Sequence, residues 1–218
     1  MITTNPRVQK VNQEIIEVYS QVVTSTIGHM TDFGFIKDLS PIFRPIHFLG
    51  NAITVKLPCM DSTALHLALS MVEQGDVIVV DMSGDIHRAC WGGGVSYAAK
   101  VKKVAGAVIG GSICDVQEIL QYKVPVFSAG ISPLTTRIMG NEGEINTTIS
   151  ISGVTVNPGD LIVADDDGIF VIDPDDPRIL EIGKRAIFLQ NSEVELRENL
   201  DKGIDLAVLS GANKKRAD

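Results

Sequence analysis

The residues best suited to chemistry lie in two glycine-rich segments. They are Trp91-Gly92-Gly93-Gly94-Val95 and, about a strand and a turn later, Gly110-Gly111-Ser112-Ile113-Cys114-Asp115. Both are predicted to be loops between a strand and a helix. The first offers bare backbone N–H groups to an anion, because a helix N-terminus carries unpaired donors and the positive end of a dipole. Three glycines in a row cost conformational entropy, which points to a demand for close backbone approach. The second segment delivers a carboxylate, Asp115, to the edge of the same crevice. Asp115 has two readings, a helix N-cap and a ligand, and the two are compatible. Cys114 is either a small packed residue or a thiol whose pKa a helix N-terminus lowers. Adjacent side chains on an extended loop diverge, so Cys114 and Asp115 are not expected to share one ion. His87 and Arg88 are close enough in sequence to hold a substrate carboxylate; the competing reading is a solvated loop pair.

Other patterns point away from alternative chemistries. A dinucleotide fingerprint would need glycine at Tyr97, and no acid ends the next strand to hold a ribose. Asp165-Asp166-Asp167-Gly168 lacks the alternating ligands and downstream glutamate of a calcium loop, so it is read as an Asp-Gly hairpin turn. His29, His47 and His66 have no ligand spacing and are read as structural. The three cysteines, Cys59, Cys90 and Cys114, form no CxxC pair, and an odd number argues against a disulfide framework. Net charge is −8 over 218 residues, which disfavours a nucleic-acid surface. Lys214-Lys215-Arg216 is read as a frayed tail. No leader pattern opens the chain and no apolar run is long enough for a bilayer, so the expectation is a cytoplasmic protein with no membrane partner.

The elements that must position these residues follow from periodicity. Helices are predicted over Val11 to Val23 and from the caps Thr24-Ser25 to about Gly34. A strand is expected at Ala52–Lys56, a helix from Asp61-Ser62-Thr63 to about Glu73, and a doubly buried strand at Val77–Asp81. Gly94–Lys103 reads as a helix, Gly106–Ile109 as a strand, Val116–Tyr122 as a helix and Val124–Phe127 as a strand. That β-α-β-α-β run places the functional loops at the carboxyl ends of strands, where open α/β sheets bind ligands. Thr147–Ile151, Val154–Val156, Leu161–Ala164 and Gly168–Ile172 read as strands, and Pro177–Leu200 as a charged helix. No linker is evident, so residues 1–218 are expected to form one domain.

The order of these motifs resembles the family of the 4-hydroxy-4-methyl-2-oxoglutarate aldolases and the regulator of ribonuclease activity A. The matching segments are Gly50–Val55, Gln74–Asp81, Trp91-Gly92, Pro125-Val126-Phe127, Gly153–Asp160 and Ala164–Gly168. The resemblance implies an α/β fold, a swivelling α/β/β/α sandwich, assembled as homotrimers or hexamers. It implies a carbon–carbon lyase that acts on a small 2-keto or 2-hydroxy acid through a pyruvate enolate, with Mg²⁺ or Mn²⁺. It makes Asp115 the metal-anchoring aspartate, with Glu118 nearest to the family's trailing acid. The amides of Gly92, Gly93, Gly94 and Val95 would hold the substrate carboxylate. Glu193 matches an acid contributed by a neighbouring subunit. The family arginine is replaced by Cys114, and two family acids are Gly93 and Gly110 here. Arg88, with His87, is then the candidate to supply the missing positive charge. The lost arginine also leaves open a non-catalytic regulator that binds a protein partner or small anion.

Overall fold

The computed structural model describes residues 1–58 and 60–215. Cys59 and Arg216, both named above, lie outside the described residues. The chain opens with β1 (Ile2–Thr4), α1 (Gln13–Tyr19), α2 (Thr24–Gly28), β2 (Phe35–Ile36) and β3 (Ser40–Pro41). The α/β core follows: β4 (His47–Lys56), α3 (Thr63–Met71), β5 (Val77–Asp81), β6 (Ala89–Trp91), α4 (Gly93–Lys102), β7 (Gly106–Ile113), α5 (Val116–Tyr122) and β8 (Val126–Ile131). The remainder is β9 (Gly143–Ile145), β10 (Ile149–Ile151), β11 (Val154–Val156), β12 (Leu161–Asp165), β13 (Gly168–Ile172), α6 (Ile179–Asp201), α7 (Leu206–Leu209) and α8 (Ala212–Lys215).

The main sheet runs β2-β13-β12-β4-β5-β7-β8-β3. The long strand β4 joins its two halves. Residues 47–51 pair antiparallel with β12, and residues 52–56 pair parallel with β5. Three buried clusters give the layers. Val55, Leu65, Val80, Trp91, Ile109 and their neighbours fill the space between the parallel half and α3–α5. Phe48, Phe127, Ile151, Val156 and Ile162 fill the inside of the curled sheet. Ile15, Tyr19, Ile27, Val163, Phe170 and Ala186 pack α1, α2 and α6 on the antiparallel half. The layering is therefore α/β/β/α, as the resemblance implies. Residues Val77–Val80 of β5 sit between the first two clusters, which explains their continuous apolar run.

Several local expectations change. Gly110–Ile113 is not loop but the second half of β7, paired with β6 and β8 across a register shift. Glycine at position 111 is required there because a Cβ would lie 2.5 Å from Met82 Cγ. The short strand Ala89–Trp91 is not marked by periodicity, since three residues give no alternation to read. The second helix ends at Gly28, well before Gly34, and its N-cap position is Val23 with no side-chain cap. Thr24 instead donates both its N–H and its hydroxyl to the buried Asp165. Lys214 and Lys215 lie in α8 rather than in a frayed tail. Asp165 pairs with Gly168 across a turn of Asp166-Asp167, the hairpin expected.

Candidate functional site

The site is a corner where β6 and β7, running parallel, hand over to α4 and α5. Trp91, fully buried, closes β6 and donates from Nε1 to Ser96 Oγ at 2.7 Å. Ser96 N–H in turn donates to Gly92 O at 2.9 Å, which starts α4. On the other strand, Cys114 N–H donates to Trp91 O at 2.9 Å. The two strand ends are thereby locked side by side.

Asp115 then takes a left-handed conformation, φ 53°. This turns its carboxylate back toward the first segment, where Oδ2 accepts the N–H of Gly93 at 2.9 Å. Asp115 holds the N-cap position of α5, but its side chain makes no cap bond to that helix. It caps α4 instead. The same turn overrides the expected divergence of Cys114 and Asp115. A Cβ placed on Gly92 would lie 2.6 Å from Asp115 Oδ2 and 2.7 Å from Cys114 Sγ. A Cβ on Gly93 would collide with Glu118 Oε2. Bare backbone at Gly92 and Gly93 lets three side chains, Cys114, Asp115 and Glu118, converge there. By contrast, a Cβ on Gly94 would meet nothing within 4 Å, so the corner opens to solvent there.

Of the loop amides, Gly93 is thus occupied by Asp115. The N–H groups of Gly94 and Val95, in the first turn of α4, have no intrahelical acceptor and remain for an anion. Glu118 Oε2 accepts from Tyr122 Oη at 3.2 Å. Tyr122 packs edge-on against Tyr97 at 5.2 Å between centroids, with Lys100 Nζ 5.6 Å from its ring. This aromatic lip was not foreseen; the α4 and α5 periodicities each present one tyrosine, but nothing in the sequence pairs them. Cys114 is half-buried, and its thiol is pushed up to about 11 by burial and by the adjacent charges of Asp115 and Glu118. It is a neutral S–H at physiological pH, the opposite of the activated thiol that a helix N-terminus alone would give.

His87 and Arg88 stand at the start of β6, whereas Gly92 stands beyond its end. Both backbone N–H groups donate to Asp85 Oδ1, and Arg88 Nε pairs with Asp85 Oδ2 at 3.4 Å. The structure does not bring either side chain to Asp115. Glu193 is exposed on α6 and pairs with Arg197 at 3.6 Å. Since α6 packs on α1 and α2, Glu193 is on another face of its own chain. His29, His47 and His66 are exposed and scattered. One important carboxylate was read only as part of a helix start. Asp61, buried, accepts from Thr63, Met139, Asn141 and Glu142 N–H groups and so pins the segment after β8. Burial would raise its pKa, but the Thr63 hydroxyl and the N–H groups of Thr63, Asn141 and Met139 hold it far below the usual carboxylate range.

The donor set suits a hard divalent ion. Asp115 and Glu118 have no ion-pair partner among the described residues. Nor do the described residues hold a group of three His, Cys, Asp or Glu that would enclose an ion. One or two carboxylates, with water and substrate completing the shell, is how Mg²⁺ is usually held; a closed cage is not needed.

Residues 20–171 match the model of the RraA-like family, described as Aldolase/RraA. The chain belongs to this family. It is 37% identical over 159 residues to an uncharacterized protein of Methanocaldococcus jannaschii, covering 72% of this chain and 74% of that one. It is 34% identical over 163 residues to a Halalkalibacterium halodurans protein provisionally named a 4-hydroxy-4-methyl-2-oxoglutarate aldolase, covering 73% and 76%. Among solved structures, Streptomyces coelicolor RraAS2, described as an unusual member of the RNase ES inhibitor RraA family, superposes with TM-score 0.76 at 26% identity. It covers 88% of this chain and 99% of its own. The RraA-like family therefore contains both aldolase-named and inhibitor-named relatives of this protein. Among the described residues no helix is long and apolar enough to cross a membrane.

Proposed function

We propose that this RraA-like protein is a divalent-metal-dependent carbon–carbon lyase of the aldolase or oxaloacetate decarboxylase type, acting on a small 2-keto acid. The observation that carries the reading is the corner at Gly92–Val95. Two carboxylates with no ion pair among the described residues, Asp115 and Glu118, lie there beside the first-turn amides of Gly94 and Val95, with an open side at Gly94. Gly94 and Val95 N–H groups bind the substrate carboxylate. Asp115, fixed by the Gly93 N–H, and Glu118, beside it, would hold Mg²⁺ or Mn²⁺. A bound ion would supply Lewis-acid stabilisation of developing negative charge on the substrate. Cys114, half-buried, offers only a weak S–H donor where a guanidinium would give two charge-assisted bonds. Arg88 reaches the substrate only if it leaves Asp85.

Glu193 acts, in this reading, on the crevice of a neighbouring copy in a trimer or hexamer. The exposed apolar side chains Phe188 and Val194 of α6 support such an assembly. A monomeric mass by light scattering at micromolar concentration removes that part.

The test is oxaloacetate decarboxylation and aldol cleavage of 4-hydroxy-4-methyl-2-oxoglutarate with Mg²⁺ or Mn²⁺, wild type against Asp115→Asn. Activity that is metal-dependent and lost in the variant supports the reading. The second reading is a regulator without catalysis, favoured by the thiol at position 114. It gains if oxalate binds neither with nor without metal.

A further inference from the structure

Asp115 and Glu118 by themselves make a hard, all-oxygen donor set, but the glycine corner holds a third donor of another kind. A Cβ on Gly92 would lie 2.6 Å from Asp115 Oδ2 and 2.7 Å from Cys114 Sγ, so carboxylate and thiol reach toward one spot. Neighbours on an extended chain put their side chains on opposite sides. Here β7 ends at Ile113, and Asp115 at φ 53° swings its carboxylate round to the side of Cys114. The pair is held from both directions. Cys114 N–H donates to Trp91 O at 2.9 Å, and Asp115 Oδ2 accepts the Gly93 N–H at 2.9 Å. Any side chain at position 92 would push the two donors aside, so bare backbone there is the condition for their meeting.

Such a pair discriminates among ions. Thiolate sulfur is a soft ligand that favours Zn²⁺ and its transition-metal neighbours, whereas Mg²⁺ takes oxygen and gains nothing from it. A guanidinium at position 114 would repel any cation; a cysteine removes that charge and adds a ligand. Glu118, whose Oε2 lies against Gly93 and accepts from Tyr122 Oη at 3.2 Å, adds negative charge beside the pair. Among the described residues no group of three ligands encloses an ion, so the remaining positions are left to water or substrate.

We propose that the glycine corner takes a thiophilic divalent cation, Zn²⁺ ahead of Mg²⁺, with Cys114 Sγ and an Asp115 carboxylate oxygen as its protein ligands. On binding, the S–H bond breaks, a sulfur–metal bond forms and the proton passes to the buffer, with no change of oxidation state. This assignment rests on the metal site of the lyase reading but needs no turnover.

The test uses Co²⁺ as a coloured stand-in for Zn²⁺, read by absorption and calorimetry on the full-length protein. Wild type is expected to show a thiolate-to-cobalt charge-transfer band in the near ultraviolet, which Zn²⁺ abolishes and a large excess of Mg²⁺ does not. Cys114→Ser, close in size with oxygen in place of sulfur, is expected to lose the band and to weaken Zn²⁺ at least about tenfold, while holding Mn²⁺ as well as wild type does. Cys59→Ser is expected to keep the band. No band in wild type, a band that survives in Cys114→Ser, or Mg²⁺ competing as well as Zn²⁺ overturns the proposal. Mn²⁺ binding that Asp115→Asn abolishes, with no Co²⁺ band, overturns it and leaves the lyase reading standing. The band together with no turnover of either substrate supports it and counts against the lyase reading.

Discussion

Replacing Asp115 by asparagine separates its observed capping of α4 from the proposed metal role. An asparagine oxygen can still accept the Gly93 N–H that Asp115 Oδ2 accepts at 2.9 Å, and asparagine tolerates the left-handed backbone at φ 53°. The fold therefore loses only the difference between a charge-assisted and a neutral hydrogen bond, about 1 kcal/mol. Alanine at the same place loses the cap altogether, about 1 kcal/mol, and adds left-handed strain of about 1–2 kcal/mol. Metal binding responds differently. At a hundredfold excess over the dissociation constant, one site adds ~2.7 kcal/mol to wild-type stability. In a chain of this length that is roughly 5–10 °C of Tm. Without metal, Asp115→Asn should melt close to wild type and Asp115→Ala clearly below it. With saturating Mn²⁺, only wild type should gain the shift. Differential scanning calorimetry reads all six melts. An asparagine variant that keeps the full Mn²⁺ shift would show that the carboxylate is a cap and nothing more.

Gly94→Ala should be stable, even slightly more so than wild type through helix propensity, whereas Gly93→Ala should displace Glu118 and weaken Mn²⁺ binding; paired melts and Mn²⁺ titrations check both. Wild-type decarboxylase activity should be weak, and Cys114→Arg should raise it, since one lost oxyanion stabiliser typically costs ~10²–10³ in turnover; steady-state kinetics showing a fast wild type would shift the role to Arg88. The depressed pKa of Asp61 means that its stabilisation is fully present above the unfolded-state value of about 4 and is lost as pH falls below it. Asp61→Asn should accordingly flatten the acid limb of a pH–stability curve, measured by urea melts from pH 7 to pH 3; an unchanged limb would count against the clamp.

Much of the fold was legible because burial leaves a plain signature. The all-apolar Val77–Val80 announced a strand covered on both faces, and it lies between two apolar clusters. The glycine corner was legible for a similar reason, since only close backbone approach rewards Gly92-Gly93-Gly94. What stayed hidden depended on single backbone angles and on distant partners. No pattern marks Asp115 as left-handed, yet that one angle decides that its carboxylate serves α4 and lies beside Cys114. Thr24 looked like a helix cap because its type fits one; its actual partner, Asp165, is 141 residues away. Asp61 likewise reads as a local cap, and its bonds to Asn141 and Glu142 come from tertiary packing alone.

The charge balance of the corner bears directly on the choice between lyase and regulator. Asp115 and Glu118 are unpaired among the described residues, and their field helps hold the Cys114 thiol neutral. Two amides at Gly94 and Val95 carry only partial positive charge, about half an elementary charge for a helix end. Against two full carboxylates, that is too little to attract a dianion such as oxaloacetate or oxalate. In the proposed lyase site a divalent ion would reverse that sign, so ligand binding would be linked to metal binding. An RraA-like protein with an arginine at position 114 could hold oxalate weakly without metal; this one should not hold it at all. Calorimetry of oxalate in the presence of a chelator, and again with Mn²⁺, reads that linkage without any turnover. Binding only with Mn²⁺ fits the lyase site. Metal-free oxalate binding would mean that a cation of the protein itself has reached the corner, either Lys100 from the aromatic lip or Arg88 released from Asp85.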